Sequence, residues 1–196
     1  MIQPDTVAGM VLPVARTRDE AHLYMDLNPC ATCAGSDVRW QGTLAVDGGI
    51  PVRRYSGVCP GCGARREFVF RLPEQPLAAG AGDVVLFGGA DRSQLLDAGE
   101  WLGVADLCAR AAAGDGYGED GEPVFPPEAL ESLAIAVAAM NEVLKFIPEG
   151  AEDVPADAVW SERGRDVRES EPDRFRRKRL QLVRDTYRDV LYRAAP

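Results

Sequence analysis

The sequence predicts an α+β fold, a small three-stranded antiparallel sheet packed with or beside a mainly helical bundle. Three observations carry that expectation. Two Cys-x-x-Cys pairs, Cys30-Ala-Thr-Cys33 and Cys59-Pro-Gly-Cys62, bracket a stretch of period-two hydrophobicity with a glycine turn in its middle. From about residue 83 onward, capping signals alternate with apolar residues at helical spacing. A hydrophobic content of 46% in 196 residues is enough to bury a core, in one or two domains.

The elements follow in order. Thr17-Arg-Asp-Glu20 has the form of a capping box, so a short helix is expected toward Leu27, with Leu23 and Leu27 on one face. Val38, Trp40, Leu44 and Val46 alternate with Arg39, Gln41, Thr43 and Ala45, interrupted only by Gly42, which reads as a strand. Asp47-Gly48-Gly49 is a hairpin turn, returning the chain as a second strand from Ile50 to Val58. A third, about Arg65 to Leu72, places Phe68, Phe70 and Leu72 on one face.

A Pro/Gly/Ala-rich linker, Pro73 to Gly82, divides the chain into an N-terminal part, 1–82, and a helical region, 83–196. Val84 to Phe87 is expected as a short strand. Asp97 then caps a helix with Trp101, Val104, Ala105, Cys108 and Ala112 along one stripe, Cys108 being a buried small apolar residue. Residues 114–126 form a loop rich in glycine and acids. Pro127 opens a long helix to Ile147, with Leu130, Leu133, Ala134, Val137, Leu144 and Ile147 on its main face, widened by Ile135, Val143 and Phe146. A short helix around Trp160 and a final one from Pro172 to about Arg193 complete the chain.

The two cysteine pairs, 25 residues apart, supply four thiolates, a complete tetrahedral ligand set with no position left for water or substrate. Thiolate sulfur selects zinc. Gly35, Gly61 and Gly63 offer the backbone freedom such turns need, and Pro60 presets the second bend. Two disulfides, four free thiols or iron are the alternatives. Knuckle, hairpin, knuckle and third strand together resemble the zinc ribbon, or rubredoxin-type, family over residues 30–72. The spacer is longer than the usual spacing of about 15–20 residues, which a longer hairpin accommodates. That resemblance implies that Cys30, Cys33, Cys59 and Cys62 hold one structural zinc per chain. Leu95-Leu-Asp-Ala-Gly-Glu-Trp-Leu102, Asn141-Glu-Val-Leu-Lys-Phe-Ile-Pro148 and Arg174-Phe-Arg-Arg-Lys-Arg-Leu180 also resemble an uncharacterised bacterial zinc-ribbon family found near toxin genes.

Charge is unevenly distributed. Residues 83–148 hold twelve acidic and three basic residues, while the segments on either side are balanced, so this segment carries the whole formal charge of -9. Asp115, Glu119, Asp120 and Glu122 concentrate it in one loop. An EF-hand is excluded there, because Asp120 stands where glycine is required. An acidic, non-catalytic protein is suited to capture a basic protein partner, such as a toxin, because opposite charge accelerates encounter. The alternative is a nucleic-acid-binding regulator using Arg53, Arg54, Arg65, Arg66 and Arg71, with Trp40 or Tyr55 as stacking surface. The overall negative charge opposes it.

The run Arg174 to Arg179 spreads around a helix instead of forming one stripe, and is expected to pack against the acidic middle segment. His22, the one histidine, has no cysteine or serine near it in a recognisable nucleophile pair, and no enzyme active site is expected. Val7 to Ala15 lacks the basic flank of a signal sequence, no apolar run reaches a membrane span, and metal knuckles fit a reducing compartment. A cytoplasmic protein is expected.

Overall fold

The computed structural model describes residues 12–75, 77, 85–113 and 125–194. It is an α+β structure. Helix α1 (Arg18–Leu27) precedes strands β1 (Gln41–Asp47), β2 (Ile50–Val58) and β3 (Arg65–Arg71), which form an antiparallel sheet in that order. Helices α2 (Ala98–Ala112), α3 (Pro127–Leu144), α4 (Glu162–Ser170) and α5 (Arg177–Ala194) follow, with 3-10 turns at Ala156–Ala158 and Pro172–Phe175. Among the described residues no helix is long and apolar enough to cross a membrane.

The hairpin turns on Gly48 and Gly49, at φ of +55° and +84°. Both are left-handed, as a two-residue turn between right-twisted strands requires. β1 begins at Gln41 and not at Val38, because residues 38–40 cross over Gly57, where a Cβ would lie 3.0 Å from the Arg39 carbonyl. Phe70 and Tyr55 turn inward from the sheet beneath α1, where Tyr24 meets Phe70 edge-on at 5.8 Å.

One apolar cluster then runs from Met25, Tyr55 and Phe70 through Trp101, Leu102 and Met140 to Phe146, Phe175 and Leu180. Both sides of the Pro73–Gly82 linker contribute to it. Buried polar groups cross the same divide. The Glu20 carboxylate, fully buried, accepts from the Arg16 backbone N–H at 2.7 Å, the Arg16 guanidinium at 2.7 Å and Ser93 Oγ at 2.7 Å. Arg16 also meets Glu142 of α3 at 2.9 Å, and Glu142 pairs with Lys145. Thr17 caps α1 as expected, accepting from Glu20 N at 3.1 Å. The other half of the capping box is missing, because the Glu20 side chain serves Arg16 and Ser93 instead of the cap.

Asp97 is a second hub. One carboxylate oxygen caps α2 through Glu100 N (2.8 Å); the other accepts Trp160 N (2.8 Å) and Ser161 N (2.6 Å). Glu100 completes the capping box and pairs with Arg163 of α4. Gly164 permits this approach, since any Cβ there would overlap the Asp97 carboxylate.

Several expectations are corrected. Residues 85–88 are not a strand, Val84 lying outside the described residues. Their backbone instead serves α1: Leu86 N–H donates to Asp19, and the Phe87 carbonyl accepts from Thr17. Helix α3 ends at Leu144, and residues 145–147 continue through i to i+3 bonds. Its buried face is Ala129, Leu133, Ala136, Met140 and Val143, whereas Leu130, Ala134 and Val137 are half-buried. Alanines let α2 approach closely, so small residues and not the largest ones mark the interface. Trp160 precedes α4, whose N-cap is Ser161, and Arg176 is extended between the 3-10 turn and α5. Cys108 is half-buried, not buried.

The face assignment is testable by denaturation. Met140→Ala should cost about 2–5 kcal/mol by cavity formation. Val137→Ala should cost clearly less, and exposed Glu131→Ala should stay within about 0.5 kcal/mol.

Candidate metal centre

Each cysteine pair sits on a tight turn of the same construction. In the first, Ala34 N–H donates to the Cys30 carbonyl (2.7 Å) and Cys30 N–H to the Gly35 carbonyl (2.9 Å). In the second, Gly63 N–H donates to Cys59 O and Cys59 N–H to Ala64 O, both at 2.9 Å. Both turns need a left-handed residue directly after their second cysteine: Gly63 at φ +74° and Ala34 at φ +56°. The sequence pointed to Gly35 for that role in the first turn. Gly35 instead provides close approach, as does Gly61: a Cβ there would lie 3.4 Å and 3.3 Å, respectively, from Cys33 Sγ.

The four sulfurs of Cys30, Cys33, Cys59 and Cys62 lie within 4.8 Å of one another. Cys30 and Cys62 are 3.6 Å apart, Cys33 and Cys59 3.4 Å. A disulfide would need about 2.05 Å. A zinc–sulfur distance of about 2.3 Å places tetrahedral sulfurs about 3.8 Å apart. The cluster therefore fits one tetrahedral ion, and its all-thiolate donor set fits structural zinc. Cys30 and Cys59 are buried while Cys33 and Cys62 reach the surface, so the ion would sit just beneath it.

Electrostatics agree with a cation at the centre. Backbone N–H groups of Thr32 and Cys33 turn toward the Cys30 sulfur and draw its thiol down to about 6. Gly61 N–H lowers the Cys59 thiol, assisted by Cys33. At Cys62 the Ala64 N–H also pulls downward, but burial and the three neighbouring sulfurs outweigh it, and the thiol is pushed up to about 12. Four sulfurs this close cannot all ionise without a positive charge between them, and a divalent ion supplies it.

The cluster is packed to the protein through Val38, Trp40 and Ala64. Arg66 lies over the rings of Trp40 (5.2 Å) and Phe68 (5.3 Å) and donates to the Asn28 carbonyl. Arg54 pairs with Glu67, and Tyr55 is buried against His22 at 5.2 Å. The stacking face expected from Arg54 with Trp40 or Tyr55 is therefore not assembled: one ring is under a guanidinium and the other is inside the protein. His22 is half-buried, and its pKa is lowered by that burial and by Arg18. Asp115, Glu119, Asp120 and Glu122 lie outside the described residues.

Two members of the basic run are held by the bundle, while Arg176, Lys178 and Arg179 stay exposed. Arg174 forms a bidentate pair with Asp106 of α2, and Arg177 donates to the carbonyls of Ala151 and Pro148. Packing against the acidic middle segment thus holds at Arg174. Alanine is no signal for the left-handed backbone at position 34; the one available sign is its equivalence to Gly63 in the second turn.

Purified protein should carry one zinc per chain by metal analysis, and chelation should unfold the sheet while leaving α2–α5 helical by circular dichroism. Ala34→Gly should raise the stability of the zinc-bound form by about 0.5–1 kcal/mol, because glycine adopts the left-handed conformation without steric cost.

A scan of protein-family models and searches of curated proteins and of solved structures find no match to this chain, so its metal centre stands on the geometry of its own four cysteines.

Proposed function

We propose that this protein is a non-enzymatic, zinc-stapled scaffold of the cytoplasm that recognises a basic protein partner, in the manner of a factor that neutralises a toxin. The observation that carries the reading is the placement of the entire -9 charge in residues 83–148. Of the acids in that segment, Asp97, Glu100, Asp106 and Glu142 are engaged inside the fold. The loop acids Asp115, Glu119, Asp120 and Glu122 are assigned to the recognition surface on charge alone. The closed thiolate shell supports a structural role for the metal, since it leaves no coordination position for a substrate.

A second reading, nucleic-acid binding, is favoured by one observation. Residues 38–71 hold six arginines against Asp47 and Glu67, a net charge of +4 in an acidic chain. Arg39 and Arg65 have no carboxylate within ion-pair distance among the described residues.

The readings separate on one experiment. Partners captured from the native host are identified, and association is measured as a function of salt for the wild type and a variant with all four loop acids changed to Asn and Gln. The expected outcome is a basic protein whose association slows in the variant and loses much of its salt dependence, with the melting temperature little changed. Unchanged kinetics would remove the acidic surface from the mechanism. Salt-dependent binding to single-stranded nucleic acid, lost in Arg39→Ala/Arg65→Ala, would favour the second reading.

A further inference from the structure

The two edges of the sheet differ in kind. β3 carries Arg65, Arg66, Glu67 and Arg71 among its seven residues, and its Arg71 end is bonded to Pro13 and Ala15, at 3.0 Å and 3.2 Å. β1 has one charged residue, Asp47, no proline and an unbroken register against β2, hence no bulge. Proteins blunt their free strand edges with charge, proline, bulges or a cover. Among the described residues, none of these protects residues 42–46. Leu44 is 66% exposed and Val46 72%.

The direction of the free backbone groups follows from the register. Asp47 and Ile50 close a two-residue turn and form a hydrogen-bonded pair, so such pairs recur at Ala45–Val52, Thr43–Arg54 and Gln41–Ser56. Gly42, Leu44 and Val46 then turn their N–H and C=O groups away from β2. The side chains of Leu44 and Val46 share one face, which continues into a mainly apolar cavity of about 470 Å³ bordered by Leu44, Tyr55, Leu72, Leu77 and Leu86, with Arg18, Asp19 and Arg53 also in its lining.

We propose that β1 pairs antiparallel with β1 of a second copy of this chain, joining the two sheets into one of six strands across a twofold axis. Centred on Leu44, the pairing uses all three outward residues and about six backbone hydrogen bonds. Leu44 then faces Leu44 of the second copy, and Val46 faces Gly42. The Tyr55 ring lies behind Gly42, where a Cβ would be 3.1 Å from Cε1, and offers an apolar floor to the incoming valine. Shifting the centre to Val46 or Gly42 would leave Leu44 opposite Gly48 or Trp40 and waste part of the edge.

Charge also selects a second copy as the occupant. Asp47, the strand's one charge, falls opposite Gln41, so no like charges meet. The two Arg53 side chains stand three strand spacings apart, about 14 Å, beyond the screening length at physiological salt. The stripe itself offers neither an acidic nor a basic partner a counter-charge. A twofold interface also satisfies both copies with the same patch and closes on itself, so pairing stops at the dimer.

The test uses zinc-loaded, full-length protein in sedimentation velocity from low micromolar to near-millimolar concentration, with amide hydrogen exchange at the two extremes. A monomer–dimer transition is expected, with exchange at Gly42, Leu44 and Val46 slowing at least about tenfold in the dimer. Leu44→Lys/Val46→Lys, at two exposed positions, should keep its zinc content and melting temperature while weakening association by more than about tenfold. A wild type that stays monomeric throughout overturns the proposal and leaves the edge to a foreign strand. So does a dimer whose exchange at these three amides is independent of concentration, or one that the double variant retains.

Discussion

Two carboxylates, a guanidinium and an ammonium meet at a largely buried site where the N-terminal segment, the residues before α2 and the end of α3 converge. Glu20, Arg16, Glu142 and Lys145 are formally neutral as a group, which is why they can leave water together. Desolvating each costs several kcal/mol, and geometry must return it. Arg16 is bound by Glu20, by Glu142 and by the Asp91 carbonyl, and Glu20 also holds Ser93, whose hydroxyl accepts the Leu95 and Leu96 N–H groups. This network sets where α1 lies. Through α1 it sets the sheet, since Tyr24 and His22 pack on Phe68, Phe70 and Tyr55. Burial of ions adds little net stability, but it permits very few arrangements. Its effect is to fix the ribbon to the bundle in one orientation.

The metal centre and the bundle are therefore stabilised by different means. The knuckles depend on the electrostatics of four sulfurs and on two left-handed residues, with only Val38, Trp40 and Ala64 as apolar support. The bundle depends on burial of Trp101, Leu102, Met140 and Phe146, and on α2 and α4 meeting at Gly99 and Gly164. Two cysteines at the surface, two beneath it and a closed thiolate shell agree with a single structural zinc.

Much of this was legible in the residues. Strand β2 and the glycine turn agree with the reading, as do the caps at Thr17 and Asp97, because each depends on interactions close by in the chain; the four cysteines come together across the hairpin, as their paired spacing suggested. What escaped was set from afar. Nothing near Glu142 announces that it will meet Arg16, 126 positions earlier in the chain. The face of α3 was misjudged because large apolar residues outweigh alanines in any periodicity count, while close helix packing prefers the alanines. Helix α4 has almost no apolar residues, so its position rests on Asp97 and Glu100, whose capping of α2 was legible but whose further contacts to Trp160, Ser161 and Arg163 were not. The loop acids proposed to meet a partner lie outside the described residues, and only their charge could be read.

That long-range ion pair also fixes an order of events during synthesis. The cysteine turns and sheet, residues 30–72, pair mainly with one another, so they could close around a bound ion as soon as Cys62 and β3 leave the ribosome. Helix α1 is made earlier but cannot settle then, because burying Glu20 and Arg16 requires Ser93 and finally Glu142. Helix α1, synthesised before the sheet, is thus among the last elements to dock. Until α3 emerges, the nascent chain holds a finished metal module beside an unsatisfied, charged helix.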